Sequence, residues 1–324
     1  MGWFLLLLVR VGSLFVPSEE YQQKVESIVP MDQKLAKVDL GDWEYVSVPG
    51  RRLNVEHRYF RLSGQDTTKP ALLFLHGLML DGRTFHNLTD LRKKWRLLSY
   101  DFPESTQAYH GNLDDFVELV EDFAEAVDVQ EADLMGVSFG AVVAVRLAAA
   151  VRPRLRIRSC ILASTQIAGT TKASRRQSRR THSFTSSLPD YKYYWLVEKI
   201  LERTARDYTG SKREILDSLF RVKHLEYYRQ VSDALLGYNA ADDARNVQCP
   251  VLVLQGGGDG LFSRREAHSP AKYLNDAHYH EIPRAGHAMV VTHPQIVVRH
   301  ILEFREQTMA ILTGRSTDGV FMAK

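Results

Sequence analysis

Residues Ala71-Leu72-Leu73-Phe74-Leu75 form an unbroken apolar run bounded by Pro70 and His76. A run this short reads as a strand, and one without a polar face suits a parallel sheet covered on both sides. Comparable runs follow at Leu97–Tyr100, Ala132–Val137, Cys160–Ala163 and Val251–Leu254, with a last strand near His278–Ile282. Between them lie helical patterns. Phe85, Leu88, Leu91 and Trp95 recur at helical spacing, Leu113 to Val127 is amphipathic, and Phe139–Ala150 suits a buried helix. Pro294–Phe304 closes the series. Upstream, Trp43–Val48 and the alternating Leu53–Leu62 predict two strands with one wet face. Alternating strands and helices joined by right-handed crossovers predict an α/β fold with a mostly parallel, doubly wound sheet.

The chain has 324 residues, enough for one large α/β domain with an insertion or for two small domains. After Thr165 the pattern breaks. Residues 166–187 are rich in Ser, Thr, Lys and Arg, including Lys172, Arg175, Arg176, Arg179 and Arg180, and read as a solvated loop. Residues 189–237 then read as two or three aromatic-rich helices. The expected division is an apolar N-terminal extension at 1–40, a core at 41–165 and 241–312, a basic loop and helical cap at 166–240, and a tail at 313–324.

The formal net charge is +3. That excess is small, and no nucleic-acid-binding module is present, so nucleic acid is not an expected partner. Cys160 and Cys249 are too few for a disulfide framework, read as buried apolar residues and favour a reducing, intracellular setting. Residues 3–16 are almost wholly apolar, broken by Arg10. The run is shorter than the roughly 20 residues that span a bilayer, and no basic segment precedes it. A packed helix, a membrane-surface anchor, an uncleaved targeting segment and a cleaved leader all remain open for it.

Gly136-Val137-Ser138-Phe139-Gly140 lies between a predicted strand and a predicted helix, the context in which Gly-x-Ser-x-Gly carries meaning. The serine of such a turn sits in a strained conformation, so its neighbours must be small. A nucleophilic serine also needs a base, and the base an orienting acid. Gly256-Gly257-Gly258-Asp259 follows one late strand, and Gly286-His287 follows the last. With Leu75-His76-Gly77 after an early strand, these motifs, in this order, resemble the α/β-hydrolase superfamily over residues 43–308.

The resemblance implies the α/β-hydrolase fold with a helical cap inserted before the last strands. It implies Ser138 as nucleophile, His287 as base and Asp259 as the orienting acid. Asp242, Asp243 and Asp276 are the other acids weighed, and none sits just after a strand in the expected place. The resemblance also implies backbone N–H groups of Leu78 and Phe139 as the oxyanion hole. His76, Gly77, Met79 and Trp195 are expected to border the substrate, with His76 bracing the oxyanion loop. The Tyr193-Tyr194-Trp195 cluster fits either the core of the cap or the wall of an acyl pocket. Serine at this turn disfavours the epoxide-opening and halide-displacing members, which carry aspartate there. Ester, thioester, amide or carbon–carbon hydrolysis of a small acyl substrate remain, and the apolar N-terminus and aromatic insertion favour a lipid-like one. No metal-ligand spacing occurs, and no cofactor is expected. The family's Gly-x-Gly-x-Ser stretch after the fourth strand is absent; Asp101-Phe102-Pro103 runs into Glu104-Ser105-Thr106 instead. Some relatives of this superfamily are silent binding or scaffold proteins, so a catalytically inactive chain, membrane-associated or part of a larger assembly, is the alternative. The oligomeric state stays open.

Overall fold

The computed structural model describes residues 16–27, 41–78, 80–103, 112–151, 153–165, 183–185, 187–205, 225–236, 238–262 and 272–312. Its strands are β1 (Trp43–Pro49), β2 (Glu56–Leu62), β3 (Ala71–Leu75), β4 (Arg96–Asp101), β5 (Glu131–Val137), β6 (Arg156–Ala163), β7 (Val251–Gly256) and β8 (Ala277–Ile282). They form an 8-stranded sheet in the order β1-β2-β4-β3-β5-β6-β7-β8. β1–β2 and β2–β4 are antiparallel, and every later pairing is parallel. The sheet is the mostly parallel one expected.

The helices are α1 (Ser18–Glu26), α2 (Leu113–Ala126), α3 (Phe139–Ala148), α4 (Asp190–Ala205), α5 (Leu225–Leu235), α6 (Ala240–Ala244), α7 (Met289–Thr292) and α8 (Pro294–Leu312). α2 starts where Asn112 closes a capping box with Asp115, accepting from the Asp115 N–H at 3.1 Å. The period of 2 in the buried strands divides the core in two. Leu73, Leu75, Leu134, Leu162 and Val253 face the side covered by α2, α3, α4, α5 and α6. Leu72, Phe74, Met135, Ile161 and Leu252 face the side covered by residues 82–93, α7 and α8. α1 docks on α4: Tyr21 is buried, its hydroxyl donates to Glu198, and Lys24 pairs with the same carboxylate at 3.1 Å.

Three expectations shift. The Phe85–Trp95 pattern is a 3₁₀ segment, Gly82–Lys93, kinked at Leu88, rather than an α-helix. The strand expected from Leu53 begins at Glu56, because Asp122 takes the Arg52 N–H at 2.6 Å and the Val55 N–H turns back to Leu53. β6 begins at Arg156 rather than Cys160. Its polar start is held by Arg158 and Ser159 on Asp133 of β5, so no apolar run marks it.

The localisation expected from the N-terminal run, a membrane association through residues 3–16, is corrected. Among the described residues no helix is long and apolar enough to cross a membrane, and the association has no structural support. Residues 1–15 lie outside the described residues, as do most of the basic loop, Lys172–Arg180 included, and the tail from Thr313.

Histidines wholly or partly withdrawn from water give the fold an acid sensitivity. Burial lowers the His57 and His280 rings below the ordinary 6.5 and pushes His86 down to about 4. Below pH 6.5 the unfolded chain therefore binds protons that the folded chain refuses, and stability falls with pH. Each such histidine contributes a slope of at most about 1.4 kcal/mol per pH unit. Urea unfolding at pH 7 and pH 5 should show the lower midpoint at pH 5; equal midpoints would refute this account.

Candidate active site

β5 runs straight into α3 through Ser138, whose φ of 53° and ψ of −111° are strained for a residue with a side chain. Such a conformation costs of order 1–3 kcal/mol and persists only when its surroundings enforce it. The surroundings here are backbone on backbone. A methyl group at Gly140 would sit 2.0 Å from the Leu75 carbonyl oxygen, and one at Gly136 2.4 Å from the Gly140 oxygen. The Ser138 N–H donates to the Ala163 carbonyl of β6 at 2.9 Å, and the Ser138 carbonyl accepts from Ala141 at 3.1 Å. Phe139 is the first residue of α3, so its N–H has no acceptor within the helix.

The loop after β3 lies alongside. A methyl on Gly77 would touch Ser138 Cβ at 3.4 Å, so the Gly77–Leu78 peptide runs beside the serine. His76 is fully buried and braces this loop. The Phe102 N–H donates to its Nε2 at 3.1 Å, which leaves the proton on Nδ1 to be donated to the Gly77 carbonyl at 2.8 Å. A planar peptide carries its C=O and N–H in opposite directions. Fixing the Gly77 oxygen therefore fixes the direction of the Leu78 N–H.

The Gly256–Gly258 turn brings Asp259 back over the sheet: Gly257 donates to Ile282 at 2.9 Å and Gly258 to Ala285 at 2.8 Å. The Asp259 side chain is wholly buried and fully used. Oδ1 accepts from the Leu261 and Phe262 N–H groups at 2.8 and 3.0 Å. Oδ2 accepts from Gln255 Nε2 and from His287 Nδ1, each at 2.9 Å. Burial alone would raise this carboxyl. The His287 contact and the two backbone donors outweigh it and hold Asp259 below the ordinary carboxylate value. The four strands β5, β6, β7 and β8 lie side by side and parallel, so the loops after β5, β7 and β8 open at one end of the sheet.

Ser164 was not singled out by the sequence. It follows β6, is fully buried, takes φ 50°, and donates its hydroxyl to the His287 carbonyl at 2.7 Å. Its own N–H donates to Leu254 of β7 at 3.0 Å. It thus ties the loop carrying His287 to the sheet. Trp195 lies half-buried on α4, and Met79 lies outside the described residues. Among the described residues no group of three His, Cys, Asp or Glu side chains could hold a metal. A polar cavity of about 480 Å³ lined by Glu121, Glu125, Asp128 and Arg154 borders the start of β5, the far end of the sheet from Ser138.

A family model described as the alpha/beta hydrolase family matches residues 72–300. The chain belongs to that family. Its fold recurs in solved structures of low identity. A hydrolase from Pseudomonas aeruginosa PA01 matches with a TM-score of 0.66 at 19% identity, over 82% of this chain and 99% of its own. A thermophilic esterase from Thermogutta terrifontis gives 0.65 at 19%, over the same shares. A lipase from Acinetobacter baumannii AYE, itself described as putative, gives 0.66 at 17%, over 90% of this chain and 97% of its own. No curated protein matches the chain in sequence.

Two substitutions in this alpha/beta hydrolase test the scaffold. Gly140→Ala drives a methyl into the Leu75 carbonyl and should prevent folding to the native state, read as loss of soluble, cooperatively unfolding protein. Ser164→Ala leaves the buried His287 carbonyl without its donor and should cost about 1–3 kcal/mol in urea unfolding; an unchanged midpoint would show that bond to be dispensable.

Proposed function

We propose that this alpha/beta hydrolase cleaves ester or thioester bonds through an acyl-Ser138 intermediate. The observation that carries the reading is the 2.9 Å bond from His287 Nδ1 to the buried Asp259 carboxylate. It holds the imidazole in the tautomer whose Nε2 can accept a proton, and it stabilises the imidazolium once formed.

In this reading Ser138 Oγ attacks the acyl carbon while its proton passes to His287 Nε2. The oxyanion is received by the N–H groups of Leu78 and Phe139, each worth about 3–4 kcal/mol in the transition state. Collapse of the intermediate sends the proton from His287 to the leaving alcohol or thiol. Water, deprotonated by the same imidazole, then releases the acid and restores Ser138. No metal or organic cofactor has a step in this sequence.

Helices α4 and α5, inserted between β6 and β7, are read as a cap, with Trp195 and Leu78 bordering an acyl pocket. Phe139 packs on Phe102 and Phe116, at 5.9 and 4.9 Å between ring centres, in the apolar core on the same side of the sheet. An apolar, lipid-like acyl group suits a pocket bordered by such an aromatic insertion. The structural neighbours include proteins described as an esterase, a lipase and an enol-lactonase, which accords with acyl chemistry on this fold.

A fluorophosphonate probe should label wild-type protein at Ser138 and leave Ser138→Ala unlabelled. Asp259→Asn should lower kcat by about 10³- to 10⁴-fold, because the ring loses the partner that holds its tautomer. A series of esters and thioesters should turn over faster as the acyl chain lengthens. Failure of folded wild type to label would favour a silent binding or scaffold role. Turnover confined to short, water-soluble esters would remove the lipid-like substrate while leaving the hydrolase.

A further inference from the structure

We propose that Cys160 and Cys249 form a dithiol site that oxidants of the hydroperoxide class convert to an intramolecular disulfide. They are the 2 cysteines of the chain. Cys160 lies in β6, and Cys249 lies just before β7, its parallel neighbour, in which Val251 pairs with Cys160. The Cys160 N–H donates to the Pro250 carbonyl at 3.0 Å, drawing the approach to β7 against β6. Cys160 and Val251 belong to the same core face, and Cys249 packs against that face. Both thiols therefore point to one side of the sheet. The Cys249 thiol donates to Cys160 Sγ at 3.9 Å. A disulfide needs about 2.05 Å, a gap that side-chain rotation and a small strand adjustment can close.

The two thiols differ in access. Cys160 is 1% exposed, whereas Cys249 is half-buried, so an oxidant reaches Cys249 first. The Cys249 contact and burial hold the Cys160 thiol well above its ordinary value, so it keeps its proton until the second step. In the first step, written for hydrogen peroxide, Cys249 sulfur attacks a peroxide oxygen, the O–O bond breaks, and Cys249 sulfenic acid and water form; an organic hydroperoxide would release its alcohol in place of this water. In the second, Cys160 sulfur attacks the sulfenic sulfur; the S–S bond forms, and the displaced hydroxide leaves as water with the Cys160 proton. Two thiols are oxidised by two electrons and one peroxide is reduced to two waters.

The bond would join positions 89 residues apart, a stretch that contains Ser164, α4, α5 and α6. It would tie the middle of β6 to the residues that enter β7, closing the loop that carries the insertion. Cross-links closing long loops restrict the unfolded chain most.

The test uses the full-length protein. It is treated with hydrogen peroxide under native conditions, quenched, unfolded and alkylated with N-ethylmaleimide. The expected product has lost two hydrogens in intact mass, takes up no maleimide, and yields a linked peptide pair containing Cys160 and Cys249. Dithiothreitol should restore two alkylations. The oxidised form should melt several degrees higher, and reduction should reverse the shift. Cys249→Ser, treated alike, should keep Cys160 fully alkylatable. Two maleimides on treated wild type, over-oxidation of Cys249 beside an alkylated Cys160, or cross-links between chains would each overturn the dithiol site. An unchanged Tm after complete intramolecular oxidation would overturn the stapling.

Discussion

The arrangement at one end of the sheet depends on the crossing of the β5–α3 turn over the end of β3. Gly140 meets the Leu75 carbonyl so closely that no side chain fits between them. This contact forces the strain at Ser138, and it also brings the Gly77–Leu78 peptide against Ser138 Cβ. One steric fact thus sets the serine and both candidate oxyanion donors in a common frame. The cost of the strained φ is spread over the parallel pairings of β3, β5 and β6, which cannot relax singly because each is covered on both faces.

Two of the histidine–aspartate pairs among the described residues, His57–Asp122 and His287–Asp259, differ instructively. His57 and Asp122 are both fully buried. The His57 ring spends Nε2 on Asp122 at 2.8 Å and Nδ1 on the Tyr100 hydroxyl at 2.9 Å. With both nitrogens committed inside the core, that pair has nothing to offer a substrate; it pins β2 and β4 to α2. The described residues engage only Nδ1 of His287, and its side chain keeps 10% exposure at the end of the sheet. Burial of a charge-capable pair is therefore not what marks a reactive site. In the function proposed above, what lets His287 act is the ring nitrogen left uncommitted.

The glycine-containing motifs were legible in the sequence because backbone approach leaves glycine as the residue that fits. Gly136, Gly140 and Gly256 would each drive a methyl to within 2.4 Å of a backbone atom. The strands were legible for a related reason: two-sided burial permits only apolar runs. What stayed hidden were bonds whose partner is a main-chain carbonyl or amide. Ser164 holds the His287 carbonyl and Asp122 holds the Arg52 amide, and every residue carries such groups, so no pattern announces them. The polar beginning of β6 was hidden because Arg156 is exposed and Arg158 and Ser159 pair with Asp133, so a strand that is only partly buried there reads as a loop.

Phe139 links the site to the insertion. Its N–H stands at the start of α3, while its ring packs on Phe116 and Phe102. The same buried cluster continues through Tyr193 and Val197 of α4 and Tyr227, Tyr228 and Val231 of α5. α4 is held in turn by α1, where a buried Tyr21 contributes more than the half-exposed Lys24–Glu198 pair, since exposed ion pairs are worth little. Repacking α4 or α5 therefore shifts the ring of the residue whose backbone is a candidate oxyanion donor. Close-packed cores transmit such strain rather than absorb it. In the function proposed above, changes in the inserted helices would then alter the pocket wall and the alignment of that donor together, coupling substrate preference to turnover through one residue.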